Sequence, residues 1–326
     1  MTARAFAPDA NVYVAGHRGL VGAAIVAALR AQGFRNLLLA PRDELDLCEA
    51  ADVRAFFAAH RPDFVFLAAA RVGGILANSA NPAAFIRDNL LIQTNVIDAA
   101  FQHGASKLLF LGSSCIYPRD CAQPITEEQL LTGPLEPTNQ WYAIAKIAGV
   151  KMCQAYRQEH RFAAICAMPT NLYGSNDNFD LQSAHVLPAL IRKFVEAQAT
   201  DAPFVTVWGT GTPRRELLHV DDCADACLFL MRHYDCGEPI NVGTGSDVTI
   251  AELADLVRAA VGYRGAVRFD ATQPDGTPRK LLSSQRLHAL GWRHRIELAT
   301  GIGRVVADYQ RGVPTRRTAA LAQPEG

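Results

Sequence analysis

Short, continuous apolar runs alternate with helical patterns through the first half of the chain, and this alternation constrains the fold more than any other feature. Asn11-Val-Tyr-Val-Ala15, Asn36-Leu-Leu-Leu-Ala40, Asp63-Phe-Val-Phe-Leu67, Lys107-Leu-Leu-Phe-Leu111 and Phe162 to Met168 read as strands. Between them, Leu20 to Gln32, Glu49 to His60, Pro82 to His103 and Asn139 to His160 carry helical spacing, the first stopping at Gly33. Strands that are apolar at every position are buried on both faces, so the pattern predicts a doubly wound α/β fold, a parallel sheet with helices on each side. Its crossovers should be right-handed.

After Gly174 the regularity loosens. Gly, Pro, Asn and Asp crowd Gly174 to Asp180, Gly209 to Pro213 and Asp275 to Pro278. We expect residues 1–174 to form a Rossmann unit, with later returns to it near 219–245, and residues 175–326 to form mainly a second, smaller substrate-binding domain. The tail from Arg311, with Pro314 and Pro324, is expected to fray. A chain of 326 residues is long enough for this arrangement.

Charge excludes some functions. The 32 basic and 32 acidic residues balance, so nothing draws the whole chain to nucleic acid or an acidic membrane, and any anion site must be local. No run of about 18 apolar residues exists to span a bilayer, and Met1 to Ala10 carries no apolar signal core. A cytoplasmic enzyme is expected. The eight cysteines form no Cys-x-x-Cys pair. Cys223 and Cys227, four apart on a helix, lack the further ligands a zinc set needs, so no metal is expected and most of the thiols read as buried packing groups.

The glycine turn Gly16-His-Arg-Gly19-Leu-Val-Gly22 lies directly between the first strand and its helix. Glycines there allow a tight turn and close approach of a pyrophosphate, which meets the free N–H groups and positive dipole end of the helix. An NAD site usually places an acid at the end of the second strand. Here Ala40-Pro41-Arg42 comes first, and Arg18 stands in the turn. Two guanidinium groups suit a 2′-phosphate, so NADP(H) is the expected cofactor. Asp43 and Glu44 leave NAD as an alternative, with Arg42 then a solvated loop charge.

Tyr142 and Lys146, four apart on one helical face, suit ketone reduction. The phenol can protonate a carbonyl oxygen, and a nearby ammonium would draw its pKa down from about 10. Ser113 and Ser114 follow the fourth strand, where the cleft of such a sheet lies. A serine there can hydrogen-bond the substrate carbonyl, or simply cap the turn.

With its G-x-x-G-x-x-G turn, the chain resembles the extended branch of the short-chain dehydrogenase/reductase superfamily, whose Ser, Tyr, Lys triad maps onto Ser113, Tyr142 and Lys146. Asn89 is similar to a fourth, helix-borne member. A narrower resemblance rests on Gly112-Ser-Ser-Cys-Ile-Tyr-Pro118, Leu135-Glu-Pro-Thr-Asn139, Tyr142-Ala-Ile-Ala-Lys-Ile-Ala-Gly149, Met168-Pro-Thr-Asn-Leu-Tyr-Gly174 and Pro274-Asp-Gly-Thr-Pro-Arg-Lys280, together with Ala69-Ala-Arg-Val-Gly-Gly74. These segments resemble the GDP-L-fucose synthase family along almost the whole chain. The resemblance implies epimerisation of GDP-4-keto-6-deoxy-D-mannose at C3 and C5, followed by NADPH reduction at C4.

Both hydrogens are α to the C4 ketone, so each can leave as a proton through an enolate. The resemblance implies Cys115 and His185 as the acid/base pair, both residue types titrating near neutrality. Expected cofactor contacts are Gly16, Arg18, Gly19, Leu20, Val21, Gly22 and Arg42. Leu111, Gly112, Ser113, Ser114, Pro169, Thr170, Asn171 and Leu172 at later strand ends, with Lys146, complete that set. The substrate diphosphate needs cations, for which Lys193 and Arg215 are the candidates, with Trp208 against the base or sugar and Asp275 as a further contact. A homodimer is implied, with Pro82–His103 and Asn139–His160 pairing into a four-helix interface.

A 4,6-dehydratase would want carboxylates near the reactive serine, and Ser114-Cys115-Ile116 offers none. A 4-epimerase needs tight NAD and no acid/base thiol. Another nucleotide-sugar epimerase/reductase, or an NADP-sensing module without turnover, remain the alternatives. Two departures from the family pattern stand out: Ser283 replaces an aspartate after Lys280-Leu-Leu282, and the connection near Asp235 to Glu238 is short.

Overall fold

The computed structural model describes residues 4–74, 78, 80–273 and 275–312. Pro274 and the tail with Pro314 and Pro324 lie outside the described residues. The first half runs β1 (Val12–Ala15), α1 (Leu20–Ala31), β2 (Leu37–Leu38), α2 (Ala50–His60), β3 (Phe64–Leu67), α3 (Pro82–Gln102), β4 (Lys107–Leu111), α4 (Gln140–His160) and β5 (Ala164–Pro169). Then follow β6 (Asn171–Tyr173), α5 (Val186–Ala199), β7 (Phe204–Trp208), β8 (Arg214–Arg215), β9 (Leu217–His219), α6 (Val220–His233) and β10 (Ile240–Val242). The chain continues through β11 (Val248–Thr249), α7 (Ile250–Val261), β12 (Ala266–Asp270), β13 (Arg279–Lys280), α8 (Gln285–Ala289) and α9 (Leu298–Gln310).

One parallel sheet in the order β10-β5-β4-β3-β1-β2 organises the molecule. Every residue of β1, β3, β4 and β5 is buried, which is why these strands read as unbroken apolar runs. One face packs on α1 and α6 through Ile25, Leu29, Cys227 and Leu230. The other packs on α2, α3 and α4 through Phe57, Ile97 and Val150. The second strand is shorter than its sequence suggests, two residues instead of five, because β2 is an edge paired only with β1. Four cysteines are fully buried, three are half-buried and Cys236 is exposed, so packing accounts for fewer thiols than expected.

A second core joins α5, β7, α7 and α9 around Phe194, Val207, Leu253 and Ile302. Glu216, between β8 and β9, ties this region to the main sheet. It is fully buried, and its carboxylate accepts from the backbone N–H of Thr244 (2.7 Å), Gly245 (2.8 Å) and Leu282 (2.9 Å). Burial pushes its pKa up while these donors oppose the rise. Glu216→Ala would orphan one buried donor, Leu282 N, at roughly 1–3 kcal/mol, and two part-buried ones that water can partly satisfy, so we expect a loss of about 2 kcal/mol or more in denaturant unfolding. Glu216→Gln, which keeps a carbonyl oxygen, should lose less.

The two departures noted in the sequence fall on anchored backbone. Ser283 donates its N–H to Ile125 O (2.8 Å) and accepts from Asn241 Nδ2 at its carbonyl (3.3 Å). The connection near Asp235 is held to α4 by an Arg157–Asp235 pair and by Gln154 Nε2 donating to Gly237 O (3.1 Å).

Candidate active site

The C-terminal ends of β1, β4 and β5 open onto one cleft, where a switch in strand order favours ligand binding. At the end of β1, Gly16 adopts φ +83°, and a Cβ there would lie 2.8 Å from the Ala69 backbone. A Cβ on Gly22 would lie 2.1 Å from Gly16 O. Gly19 caps α1 and donates its N–H to Gly16 O (2.9 Å). The first turn of α1, with Leu20 and Val21, carries no acidic side chain. A bare-backbone cradle at an unblocked helix N-terminus fits a dinucleotide pyrophosphate.

Arg18 reaches Asp43 (3.8 Å), so the turn and the segment after β2 meet on one rim. Arg42 faces Asp46 (3.6 Å), and both guanidinium groups are largely exposed. Exposed pairs of this kind are weak, leaving both arginines available to a more highly charged anion. Gly112, after Leu111, donates to Ala167 O (2.9 Å), and a Cβ on it would strike the Met168 side chain at 2.3 Å. Beyond Pro169, Thr170 donates to Val242 O (3.0 Å) and Asn171 Nδ2 to Glu216 O (2.8 Å). These bonds hold the strand end in shape while spending the Asn171 amide. Leu172 packs on the core shared by α1 and α6.

The three residues of the reductive centre come together. Ser113 accepts from Cys115 N (3.2 Å), capping the short helical turn Ser114–Ile116, and its hydroxyl is near enough to the Tyr142 phenol to hold that group's pKa down. Capping and proximity to the tyrosine are thus compatible, whereas Ser114 is buried beneath. Lys146 lies one helical turn from Tyr142, its Nζ 5.8 Å from the Tyr142 ring, 4.7 Å from the Phe110 ring and 2.8 Å from Leu111 O, to which it donates.

The electrostatics differ from expectation. Burial, with Cys115 second, raises the Tyr142 pKa above its ordinary value, opposed by the Ser113 hydroxyl. Burial also draws Lys146 down to about 7. An ammonium that burial disfavours, turned toward a carbonyl, does not pull the phenol down. The ligand-free pair therefore keeps the proton on Tyr142, the form a proton donor needs. Asn89 spends its side chain on Arg71 N (2.9 Å), Arg71 O (3.0 Å) and Phe85 O (2.7 Å), bracing the loop of residues 69–74.

Cys115 sits beside this centre on the turn after β4. Its Sγ accepts from Asn139 Nδ2 (3.3 Å) and Lys280 Nζ (3.5 Å). His185, the N-cap of α5, is exposed by its accessible surface, and desolvation by the protein around it and then the charge of Lys280 lower its pKa. Lys280 thus touches the thiol directly. Asn139 and Lys280 stand in the family-like segments but were not assigned by sequence. Their place at the ends of those motifs was the available signal.

The outer wall carries the four expected substrate residues. Lys193 Nζ donates to Thr206 O (3.0 Å) and lies 5.6 Å from the exposed Trp208 ring. Arg215 on β8 donates to Arg214 O (2.8 Å) and Thr277 O (2.6 Å), and burial lowers its pKa, so an anion would stabilise it. Asp275 turns both oxygens to Thr210, accepting from N (2.9 Å) and Oγ1 (2.7 Å). Its carboxylate fixes the turn after β7, where Gly209 has φ +83°.

Comparison with known proteins agrees with this geometry. The profile of the NAD dependent epimerase/dehydratase family matches residues 12–243. "Putative GDP-L-fucose synthase 2" of Arabidopsis thaliana is 59% identical over 309 residues, 95% of this chain and 94% of that protein. GDP-L-fucose synthase of Escherichia coli is 53% identical over 301 residues, covering 90% and 94%. Among solved structures, a GDP-L-fucose synthetase from Naegleria fowleri bound to NADP superposes with a TM-score of 0.88 at 27% identity, covering 95% of each chain. A GDP-6-OMe-4-keto-L-xylo-heptose reductase from C. jejuni gives 0.90 at 35% identity, covering 94% of this chain and 99% of that one. With Cys115 set beside Ser113, Tyr142 and Lys146, and with similarity running nearly end to end, the chain belongs to the NAD dependent epimerase/dehydratase family and, within it, to the GDP-L-fucose synthases.

Proposed function

We propose that the protein converts GDP-4-keto-6-deoxy-D-mannose to GDP-L-fucose, inverting C3 and C5 and then reducing C4 with NADP(H) as cofactor. The observation that carries this reading is the contact set at Cys115. A plain ketoreductase needs Ser113, Tyr142 and Lys146, but has no use for a thiol held by Asn139 and Lys280 next to them. In our reading the glycine turn, Arg18, Arg42 and the ends of β4 and β5 hold the dinucleotide. The chain up to residue 174, with the return at 219–245, is its binding unit, and the remainder mainly holds substrate.

Ser113 and Tyr142 hold the C4 oxygen and steady the enolate formed when an α-proton leaves. Cys115 and His185, on opposite faces of the sugar, remove a proton from one side and return one to the other. NADPH, when bound, supplies the hydride that adds to C4. Tyr142 gives its proton to the C4 oxygen, and Lys146, once bound ligands turn its ammonium from the Leu111 carbonyl toward the phenol, stabilises the phenolate left behind. Arg215 and Lys193 meet the diphosphate, Trp208 the base or sugar, and Asp275 acts by shaping the loop beside them.

Leu91, Trp141 and Ile144, exposed on α3 and α4, support pairing of two copies through these helices. A charged GDP-sugar and NADPH do not cross membranes unaided, so the cytoplasm is the proposed site of action. No helix of the described residues is long and apolar enough to cross a membrane.

Incubating the protein with NADPH and GDP-4-keto-6-deoxy-D-mannose tests the proposal, because a sensing module would bind NADPH without oxidising it. Cofactor choice is tested separately. Bonds to charged groups contribute roughly 1.5–3 kcal/mol each, so replacing Arg18 and Arg42 with alanine should raise KM for NADPH by about tenfold or more. KM for NADH should move far less. Equal losses with both cofactors would remove these arginines from the 2′-phosphate.

A further inference from the structure

Two strands of two residues each bring four cations together. Arg214-Arg215 of β8 and Arg279-Lys280 of β13 pair in parallel, Arg279 beside Arg214 and Lys280 beside Arg215. Successive side chains of a strand point to opposite faces, so the four sort into two pairs. Lys280 reaches the cleft, its Nζ 3.5 Å from Cys115 Sγ, and Arg215 lies on the same face of this small sheet. On the other face, Arg214 and Arg279 converge on a single carboxylate, that of Asp247.

Asp247 stands between β10 and β11 with its side chain only 4% exposed. Oδ1 accepts from Arg214 Nε (2.8 Å), Oδ2 from Arg279 Nε (2.6 Å), and its backbone carbonyl from a second Arg214 nitrogen (2.9 Å). Burial acts to raise its pKa, but the bonds from Arg279 and Arg214 prevail and hold it below the usual carboxylate value. The backbone alone holds β13 loosely. Arg214 N donates to Pro278 O (2.8 Å), and the bond from Glu216 N to Lys280 O is long (3.4 Å). The segment before β13 leans directly on Arg215, which donates to Thr277 O (2.6 Å), and a Cβ on Gly276 would lie 2.7 Å from the Arg215 guanidinium. A shift of β13 would therefore move Arg215 and Lys280 together. Glu252, 3.9 Å from Arg214, is a weaker and exposed second partner. The side chains of Arg214 and Arg279 are 38% and 43% exposed, so without Asp247 both can turn to water, and the fold should survive the loss.

We propose that Asp247 is a positioning residue for the substrate: by clamping Arg214 to Arg279 behind the sheet, it fixes β13 on β8 and so sets Arg215 and Lys280 side by side in front. It acts through those two cations and touches no reacting atom. Position and charge make opposite demands here. Removing a carboxylate near a diphosphate site would, by charge alone, tighten the hold on an anion. Removing a clamp loosens it, because Arg215 then has to be ordered when the diphosphate binds. The inference rests on the placement of the substrate diphosphate at Arg215 proposed above.

The test is the affinity of the full-length protein for GDP, by titration calorimetry, with NADPH affinity measured alongside. Asp247→Ala should weaken GDP binding by roughly tenfold or more, the worth of one well-placed bond to a charged group, and leave NADPH binding nearly unchanged. Asp247→Asn, which keeps one acceptor oxygen, should weaken GDP binding less. The double variant Asp247→Ala, Arg279→Met has the net charge of wild type. A clamp leaves it as weak as Asp247→Ala, because both changes open the same bridge. Charge alone would return it to wild-type affinity, and that recovery would overturn the proposal. Unchanged or tighter GDP binding in Asp247→Ala would overturn it as well. A parallel loss of NADPH affinity would also overturn it, in favour of general loosening of the fold. If Asp247→Ala does not fold, Asp247→Asn decides, since clamp and charge predict opposite signs for it too, and no change there counts against the clamp. Failure of wild type to bind GDP would instead refute the underlying placement of the substrate.

Discussion

Cys115→Ala and His185→Ala should each slow exchange of the C3 and C5 hydrogens with solvent by roughly 10²–10⁴-fold, the usual worth of a positioned acid or base. Neither change touches the glycine cradle, Tyr142 or Lys146, so NADPH binding should persist. Cys115 is half-buried on the turn after β4, and removing its sulfur leaves Asn139 Nδ2 and Lys280 Nζ without their shared acceptor but leaves the backbone turn capped by Ser113. His185 caps α5 without a side-chain bond to the helix, so its loss should not unravel that element. With proton transfer removed and the reductive centre intact, the Cys115 variant should reduce unepimerised 4-keto sugar, giving a 6-deoxy sugar of the wrong configuration. Deuterium uptake followed by product analysis with NADPH reads both effects. Exchange at wild-type rates in both variants would reduce Cys115 and His185 to packing residues.

Tyr142→Phe should separate the two halves of the reaction the other way. In the proposed reaction the phenol gives its proton to the C4 oxygen, and burial keeps it protonated in the ligand-free protein. Its removal should lower NADPH consumption by a factor of roughly 10² or more. Exchange of the α-hydrogens should continue at a reduced rate, because Ser113 still holds the carbonyl while one of two enolate donors is gone. Normal NADPH consumption by this variant would refute the assignment of Tyr142.

What could be read from the sequence follows from how local each determinant is. β1, β3, β4 and β5 were legible because burial on both faces leaves no polar position to break the run. β2 was overextended because Asn36-Leu-Leu-Leu-Ala40 has the composition of a central strand, while its edge position, a tertiary fact, limits pairing to two residues. The Tyr142/Lys146 spacing was legible, being one helical turn. The direction of their mutual effect was not, because it depends on how deeply Lys146 is buried and on the Leu111 carbonyl that captures it. Lys280 could not be assigned from spacing, standing 165 residues from Cys115 and arriving by pairing of β13 with β8. Asn89 and Asp275 show the reverse. Both look like contacts for a ligand, yet their polar atoms brace the protein's own loops.

The central claim is that one pocket inverts two carbons and then reduces the ketone between them. Turnover of GDP-4-keto-6-deoxy-D-mannose with NADPH in D₂O, with the deuterium positions in the product assigned by NMR, tests it most directly. The account predicts GDP-L-fucose carrying solvent deuterium at both C3 and C5. A reduced sugar that retains the D-manno configuration and carries no solvent deuterium at either carbon would contradict it.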